Sequence, residues 1–480
     1  MRKRFVTNLF FLLALNILIK SFWILGVDRG VQNAVSAQDY GLYFALLNFT
    51  FIFNIILDFG LTNYNNRLIA QHPQLLSKYI SQLVPIKFAM AIVFTIVVFL
   101  VAILIGYDAY ALKLLGILCV SQFLASLLTY LRSNISGLQL FKTDSVLSVM
   151  DKFIVIVFCS ILLWGGVLKS NFKIEYFIFI QLFAYLITVL MALAICLRKA
   201  KFVHLQWNRP FIMKIIKDSY PYAILVLLMA FYNRADSVMI ERILDNGADQ
   251  AGIYASAFRL VDAANMIAYL FSIILLPLFS KLIKAKQDVQ PIIKISFHLL
   301  LMLTVCFVVL SQFYGYNLMD LMYNKHIEES WQVFRILSIC FIPIAMTYIY
   351  GTLLTSNGSL KYLNIVASLG MVLNIGINLI LIPKLFAVGA AYSSLIAQTI
   401  TALIQAIIAI RIFKIKFDAI YVVRIILFVL SLILSAYLLK EITSWWVYNI
   451  LITSVVMVVL SFVFKVFRVK DVTSLLKAQN

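Results

Sequence analysis

Residues 176–197 read YFIFIQLFAYLITVLMALAICL, a run of 22 residues without a charged side chain. An α-helix rises 1.5 Å per residue, so ~20 predominantly apolar residues suffice to cross the hydrocarbon core of a bilayer. Comparable stretches follow one another almost from end to end of the chain, and together they predict about fourteen membrane-spanning helices. We place these spans at residues 7–26, 40–61, 82–106, 110–131, 146–168, 176–197, 219–243, 252–278, 292–314, 331–354, 362–383, 388–411, 418–439 and 445–466.

The composition agrees with an all-α, polytopic membrane protein. Hydrophobic residues make up 63% of the 480-residue chain and charged residues only 12%, whereas a soluble protein carries about 25% charged residues. No segment between the predicted spans is long enough to form a soluble catalytic domain. We therefore expect the protein to act inside or across a membrane.

The formal net charge of +20 suggests nucleic-acid binding when it is taken alone. However, the basic residues alternate between the two sides of the predicted membrane, which is the positive-inside pattern. With residues 1–4 in the cytoplasm, both termini are cytoplasmic, and we expect no nucleic-acid partner. The opposite side then holds only Arg29, Lys113, Lys169, Lys173, Arg242, Lys325, Lys384 and Lys440.

Cysteines and histidines form no cluster that predicts a disulfide framework or a metal site. No Walker A pattern occurs, so ATP is not expected to be the direct fuel, and no cofactor is expected. The scattered residues are Cys119, Cys159, Cys196, Cys306, Cys340, His72, His204, His298 and His326.

A long basic connection at residues 198–218 separates six predicted spans from the next six. We predict a six-helix lobe at 1–197, this cytoplasmic linker, a second lobe at 219–411, and two further helices with a cytoplasmic tail at 412–480. A Gly-x-Tyr sequence opens both span 2, at Gly41, and span 8, at Gly252. This echo favours an internal repeat, a plan in which transporters bind substrate between their halves.

Ionisable residues inside predicted spans cost ~2.5–3.5 kcal/mol or more when they lack partners, so they commonly face each other or a wet cavity. Arg234 lies ~22 Å from the start of span 7, at a depth that overlaps that of Arg259 in span 8. We interpret Asp151 and Lys152, near a span end, as interface anchors. The other charged candidates are Lys20, predicted in the outer half of span 1, Asp58 near the cytoplasmic end of span 2, Asp236 and Asp262.

Two interpretations of these charges stay open. In the first, Lys20, Arg234 and Arg259 line a cationic cavity that binds an anionic head group, with the acids as neighbours. In the second, Arg–Asp pairs hold helices together and Lys20 snorkels outward. Four amides add polar faces that hydrogen-bond between helices or line a sugar path. These amides belong to Asn48, Asn54, Asn374 and Asn378.

Several motifs resemble those of the polysaccharide-export flippases. They are residues 374–384 (NIGINLILIPK), 388–392 (VGAAY), 252–259 (GIYASAFR), 20–29 (KSFWILGVDR) and 58–63 (DFGLTN). The similarity covers nearly the whole chain, and the order of the motifs adds to its specificity.

The resemblance implies membership of the multidrug/oligosaccharidyl-lipid/polysaccharide exporter (MOP) superfamily, with two six-helix lobes in a V shape plus two extra helices. It implies a flippase of the bacterial cytoplasmic (inner) membrane that moves undecaprenyl-pyrophosphate-linked oligosaccharide to the outer leaflet for O-antigen or capsule synthesis. Lys20, Arg234 and Arg259 would then meet the pyrophosphate or acidic sugars. The implied partners are membrane lipids, a glycan polymerase and glycosyltransferases, and coupling to Na⁺ or H⁺ is left open.

Two alternatives remain. A cation-coupled multidrug antiporter of the same superfamily usually has twelve spans and favours an acidic cavity. A membrane-bound glycan polymerase or ligase would be expected to expose a large outer loop with polar catalytic groups. Here the longest outer connections, 27–39 and 314–330, are short.

Overall fold

The computed structural model describes residues 15–16, 18–165, 172–200, 209–415, 419–440, 442–443 and 445–464. Within these ranges the ordered elements are helices, and no β-strand occurs. The chain forms two compact units, Met1–Gly252 and Ile253–Asn480. The predicted all-α membrane fold is confirmed.

The first unit begins with helical residues around Leu18 that continue through a π-helix, Trp23–Asp28. Its later helices are α1 (Arg29–Ala34), α2 (Ala37–Phe53), a 3-10 turn (Asn54–Leu57), α3 (Leu61–Gln71), a second 3-10 turn (Pro73–Leu75), α4 (Leu76–Leu104), α5 (Ala109–Gly137), α6 (Phe141–Trp164), α7 (Ile174–Lys199) and α8 (Arg209–Ile243). A leucine-rich core that includes Leu83, Leu127 and Leu131 joins helices of this unit.

Helix α9 (Gly247–Lys284) passes from the first unit into the second. The second unit continues with α10 (Gln290–Met322), α11 (Ile327–Ile339), α12 (Phe341–Ser356), α13 (Leu360–Phe413), α14 (Ala419–Leu439) and α15 (Trp446–Val463). Phe428 and Leu432 of α14 and Met457 of α15 pack in one buried cluster with Val305 and Val309 of α10. The last two helices are therefore fixed to α10.

Helix α13 is a hairpin of two helical halves. Phe386 interrupts it with φ 54° and ψ −137°, three residues after Pro383. The Ser393 hydroxyl donates to the Asn374 carbonyl at 2.8 Å, although 19 residues of continuous helix would separate them by ~28 Å. The halves correspond to the predicted spans 362–383 and 388–411.

Among the described residues, eleven helices are long and apolar enough to cross a membrane, counting α13 once. Val423–Leu439 is a shorter apolar helix, and the first predicted span lies partly outside the described residues. The number fourteen stays a prediction. So do the lobe boundaries, although α8 belongs to the first compact unit.

The two glycines of the Gly-x-Tyr echo meet at one helix crossing. A Cβ on Gly41 would lie 1.8 Å from the Ala248 carbonyl oxygen, and a Cβ on Gly252 would lie 2.3 Å from that of Ala37. Only glycine permits so close an approach of the two backbones. The echo therefore marks a reciprocal contact between the first turns of α2 and α9.

The hairpin turn of α13 gives a matched pair of glycine variants. A Cβ on Gly389 would lie 2.4 Å from the Leu381 carbonyl oxygen, whereas a Cβ on Gly376 meets nothing within 4 Å. We expect Gly389→Ala to lower the melting temperature of the purified protein, because the added methyl group would force the backbone near Leu381 to shift. Gly376→Ala should leave it unchanged or raise it, since alanine favours helix by ~1 kcal/mol. Equal melting of the two variants would contradict the close packing of the hairpin.

Candidate functional site

A cavity of about 440 Å³ lies within the first unit, among α2, α3, α5, α7 and α8. Aromatic and aliphatic residues, including Phe51, Val226 and Ala230, form part of its wall. The remaining lining is rich in hydroxyl, amide and carboxyl groups. These polar residues are Asn54, Asp58, Thr62, Gln122, Ser126, Thr129 and Tyr185.

A helix break brings Asp58 to the cavity. After the 3-10 turn the backbone leaves the helix, with positive φ at Phe59 (43°) and Gly60 (81°), before α3 begins at Leu61. The Asp58 carboxylate accepts from the Thr62 hydroxyl and backbone N–H. The candidate membrane span ends at Leu57, which agrees with our placement of Asp58 near the end of span 2. Helical structure resumes at Leu61 and continues to Gln71.

Lys87 of α4 closes this break. Its ammonium group lies 2.5 Å from an Asp58 carboxylate oxygen and donates to the Leu57 carbonyl at 2.9 Å and the Ser126 hydroxyl at 3.1 Å. Lys87 is fully buried, while the Asp58 side chain is 29% exposed and lines the cavity. The lysine thus neutralises the carboxylate and satisfies a carbonyl that the break releases from helical bonding.

A second lysine, Lys152 of α6, stands behind the cavity wall. It pairs with Asp151 at 3.1 Å and donates to the Tyr185 hydroxyl at 3.1 Å. Its ammonium group also lies 4.8 Å from the Trp23 ring centre and 5.0 Å from that of Tyr185, which lines the cavity. Our interpretation of Asp151 and Lys152 as interface anchors was wrong, because α6 begins at Phe141 and Asp151 is only 7% exposed.

Arg234 of α8 approaches the same cavity. Val226, Ala230 and Arg234 recur at intervals of four residues and share one helix face. The guanidinium donates to the Asn48 side-chain oxygen at 3.3 Å and lies 5.3 Å from the ring centre of Phe51, a lining residue. Arg234 therefore lies one helical turn beyond the part of α8 that lines the cavity.

Lys20 lies well inside a helix that is longer than the predicted span. Helical structure continues past the predicted span end at residue 26 as far as Ala34, so Lys20 is ~21 Å before that end. The charged groups that act on its ammonium are Lys152, Asp151 and Arg132. The placement of Lys20 in the outer half stays a prediction, and so do the two interpretations of its charge. Asp28, which we placed beyond the span, is buried and accepts from the Tyr40 hydroxyl at 2.8 Å.

The remaining charged candidates divide between the units. Asp236 is 1% exposed and lies on a different face of α8 from Arg234. Arg259 is buried and shares a face of α9 with the partly exposed Asp262, and both belong to the second unit. A common cavity for Arg234 and Arg259 stays a prediction.

The four asparagines have two kinds of environment. Asn54 lines the cavity, and the buried Asn48 holds Arg234. Asn374 and Asn378 are fully buried in the α13 hairpin, where the Asn378 amide donates to the Asn374 side-chain oxygen at 3.3 Å and the Asn374 amide donates to Ser393 at 3.4 Å. Of the two roles we considered for this pair, the contacts show hydrogen bonding between helices.

Sequence reasoning missed Lys87. The signal was present: a lone lysine within a strongly apolar run, with an aspartate near the end of the preceding span. Within the part of the chain that the structure describes, no group of three or more histidine, cysteine, aspartate or glutamate residues is placed to hold a metal ion.

The chain is similar to a known protein family and to several solved structures. A family model described as "Polysaccharide biosynthesis protein" matches residues 6–283, more than half of the chain. No curated protein sequence matches the chain. The inward closed structure of the lipid II flippase MurJ is similar, with a TM-score of 0.71 and 17% identity over 93% of this chain and 98% of that one.

Two other structures of the MOP superfamily are also similar. An inward-facing multidrug resistance MATE transporter has a TM-score of 0.62 and 13% identity, covering 82% of this chain and 94% of its own. A transporter from Pyrococcus furiosus, described by the reverse polarity of its binding pocket, has a TM-score of 0.59 and 13% identity, covering 85% and 95%. At these identities the likeness shows a common fold and no more.

Three variants test whether the Asp58–Lys87 ion pair stabilises the protein. Lys87→Met should destabilise the protein by roughly 1–3 kcal/mol, because it leaves the partly exposed Asp58 carboxylate without its counter-charge and removes a donor from the Leu57 carbonyl. Adding Asp58→Asn should recover much of this loss. Lys78→Met, at an exposed position of the same helix, is the control and should melt like the wild type. Thermal unfolding of detergent-purified protein measures all three, and a Lys87→Met variant as stable as the control would exclude this role for the pair.

Proposed function

Because the chain belongs to the polysaccharide biosynthesis protein family of the MOP superfamily, we propose that it is a flippase for a lipid-linked oligosaccharide. The proposed substrate is an undecaprenyl-pyrophosphate-linked glycan that moves from the cytoplasmic to the outer leaflet during synthesis of a surface polysaccharide such as O-antigen or capsule. The similar structures are described as a flippase and transporters, which argues against a membrane-bound polymerase or ligase.

The observation that supports this proposal is the charge around the 440 Å³ cavity. Acids beside the cavity are matched by basic partners: Asp58 by Lys87 and Asp151 by Lys152. Arg234 beside Phe51 and Lys20 beside Asp151 and Lys152 add further positive charge. A local excess of basic groups, of which Lys87 is buried and the others are partly exposed, favours an anionic ligand.

The proposed binding mode follows from the chemistry of these groups. A pyrophosphate accepts charge-assisted hydrogen bonds, and arginine can contact it with two parallel N–H groups. Amide and hydroxyl side chains such as Asn54, Gln122 and Thr129 line the same cavity and suit the hydroxyl groups of sugars. The polyprenyl tail would stay in the bilayer while the polar head crosses.

We propose alternating access as the mechanism. Two repeats that rock about a central substrate site expose it first to one side of the membrane and then to the other. The reciprocal contact of Gly41 and Gly252 supports the repeat. Arg259, with Asp262 as its neighbour on the same helix face, is the proposed substrate contact of the second lobe.

A cation-coupled multidrug antiporter is the second candidate, favoured by one observation. Asp58 lines the cavity and is partly exposed, so it offers a carboxylate to a cation. The contact with Lys87 lowers the affinity of Asp58 for a cation, because the Lys87 ammonium group already donates to one carboxylate oxygen.

The direct test is reconstitution of the purified protein into vesicles with a labelled lipid-linked oligosaccharide or, separately, a cationic dye. We expect glycan translocation without dye transport. Dye movement driven by a Na⁺ or H⁺ gradient, with no translocation of the glycan, would reject the flippase and favour the antiporter.

Charge reversal at Arg234 tests the site within that assay. Arg234→Glu should reduce translocation at least tenfold, because it places a negative charge where the pyrophosphate is proposed to bind. Lys217→Glu, at an exposed position of the same helix, is the matched control and should retain activity. Normal translocation by a folded Arg234→Glu protein would limit Arg234 to a structural role.

We also propose that the protein lies in the bacterial cytoplasmic membrane with both termini in the cytoplasm, and that a glycan polymerase and glycosyltransferases act in the same pathway. A reporter that is active only outside the cytoplasm should stay inactive when fused after Asn480. Reporter activity at that position would reverse the predicted orientation.

A further inference from the structure

A second cavity, of about 490 Å³, lies in the other unit, between the end of α10 and the turn that joins α14 to α15. None of the residues that line this cavity takes part in the proposed translocation of the glycan. Its lining combines donors and apolar surface, and the residues that the argument uses are Phe313, Asn317, Lys440, Ile442, Thr443 and Trp446.

The wall of this cavity is held in place by Asn449, which is 1% exposed. Its side-chain oxygen accepts from the Thr443 backbone N–H at 3.0 Å and hydroxyl at 2.8 Å. Its amide donates to the carbonyls of Lys440 at 2.8 Å and Thr443 at 3.0 Å. The turn is therefore tied to α15 by four bonds from one side chain, so the cavity is formed before any ligand arrives.

The lining favours an anion. Lys440 supplies a positive charge, and Asn317 and Trp446 carry N–H donors. Helix α15 begins at Trp446 and no side chain caps it, so the positive end of the helix dipole lies at the cavity. Phe313 and Ile442 add apolar surface beside these donors, which suits a phosphate attached to a glycerol backbone more than a free ion.

The surroundings place this cavity at the edge of the hydrocarbon. Leu438 of α14 and Val455 of α15 are both 64% exposed, as expected for helices that face lipid. The turn is instead flanked by exposed aromatic residues, Tyr437, Trp445 and Tyr448. Tyrosine, tryptophan and lysine gather at the level of the lipid head groups. A lipid could therefore enter from the bilayer with its chains along α14 and α15.

We propose that this cavity binds the phosphate head group of an anionic phospholipid from the surrounding leaflet. The lipid is a resident of the bilayer and not the transported substrate. Lys440 contacts the phosphate, and Trp446 and Asn317 donate to its oxygens.

Native mass spectrometry of the detergent-purified, full-length protein can test this by titration with phosphatidylglycerol or phosphatidylcholine. We expect a bound phosphatidylglycerol whose affinity falls roughly tenfold in Lys440→Gln, as the loss of a charged hydrogen bond predicts. Lys325→Gln, at an exposed position in the turn after α10, is the matched control and should bind like the wild type. Circular dichroism confirms that the variants remain folded.

Three results would overturn the proposal. If the wild type and Lys440→Gln bind phosphatidylglycerol with the same affinity, the lipid does not bind at Lys440. Equal affinity for phosphatidylcholine would show that the anionic charge is not recognised. Displacement of the lipid by millimolar inorganic phosphate would indicate a free-anion site. Each result leaves glycan translocation untouched, so this proposal and the proposed function fail separately.

Discussion

A polar group that leaves water in this protein must find its partner inside the protein, because the lipid offers none. The break at Asp58–Gly60 shows the consequence most clearly. It interrupts helical hydrogen bonding and exposes a carbonyl and a carboxylate, and Lys87 reaches across from α4 to satisfy both. The same constraint explains why Lys152 is enclosed by Asp151 and two aromatic rings, and why Asn48 meets Arg234.

These partnerships also build the cavity. Each basic group touches a residue of the lining: Lys87 contacts Asp58, Lys152 contacts Tyr185, and Arg234 contacts Phe51. The three basic side chains are thus fixed by other side chains, and each lies in direct contact with a residue that lines the cavity. Because the lysines neutralise Asp58 and Asp151, an anionic head group that entered would meet Arg234 already held in position, without the cost of ordering a flexible side chain.

The apolar runs were enough to predict helices, their approximate positions and the hairpin between the halves of α13. They did not predict where helices end, because a helix continues after its apolar residues stop. That is why Asp28 was placed beyond a helix that in fact buries it. The Gly-x-Tyr echo was visible, but only the structure shows that Gly41 and Gly252 face each other.

The site was less predictable than the fold, because long-range contacts decide it. Asn54 and Asp58 were identified and line the cavity, whereas Lys87 escaped notice within a strongly apolar run. Asn374 and Asn378, one turn apart, were consistent with either helix packing or a sugar path. Their partner Ser393 lies 19 residues from Asn374, across a turn that hydropathy does not describe.

The claim that the first unit's cavity receives the head group can be tested by photocrosslinking. A photoreactive side chain at Thr129, which lines the cavity, is compared with one at Leu100, which is 57% exposed on α4. With a lipid-linked oligosaccharide labelled in its glycan, the account predicts a labelled adduct at position 129, competed by unlabelled substrate, and none at position 100. Equal labelling at both positions, or none at 129 in protein that translocates the glycan, would contradict it.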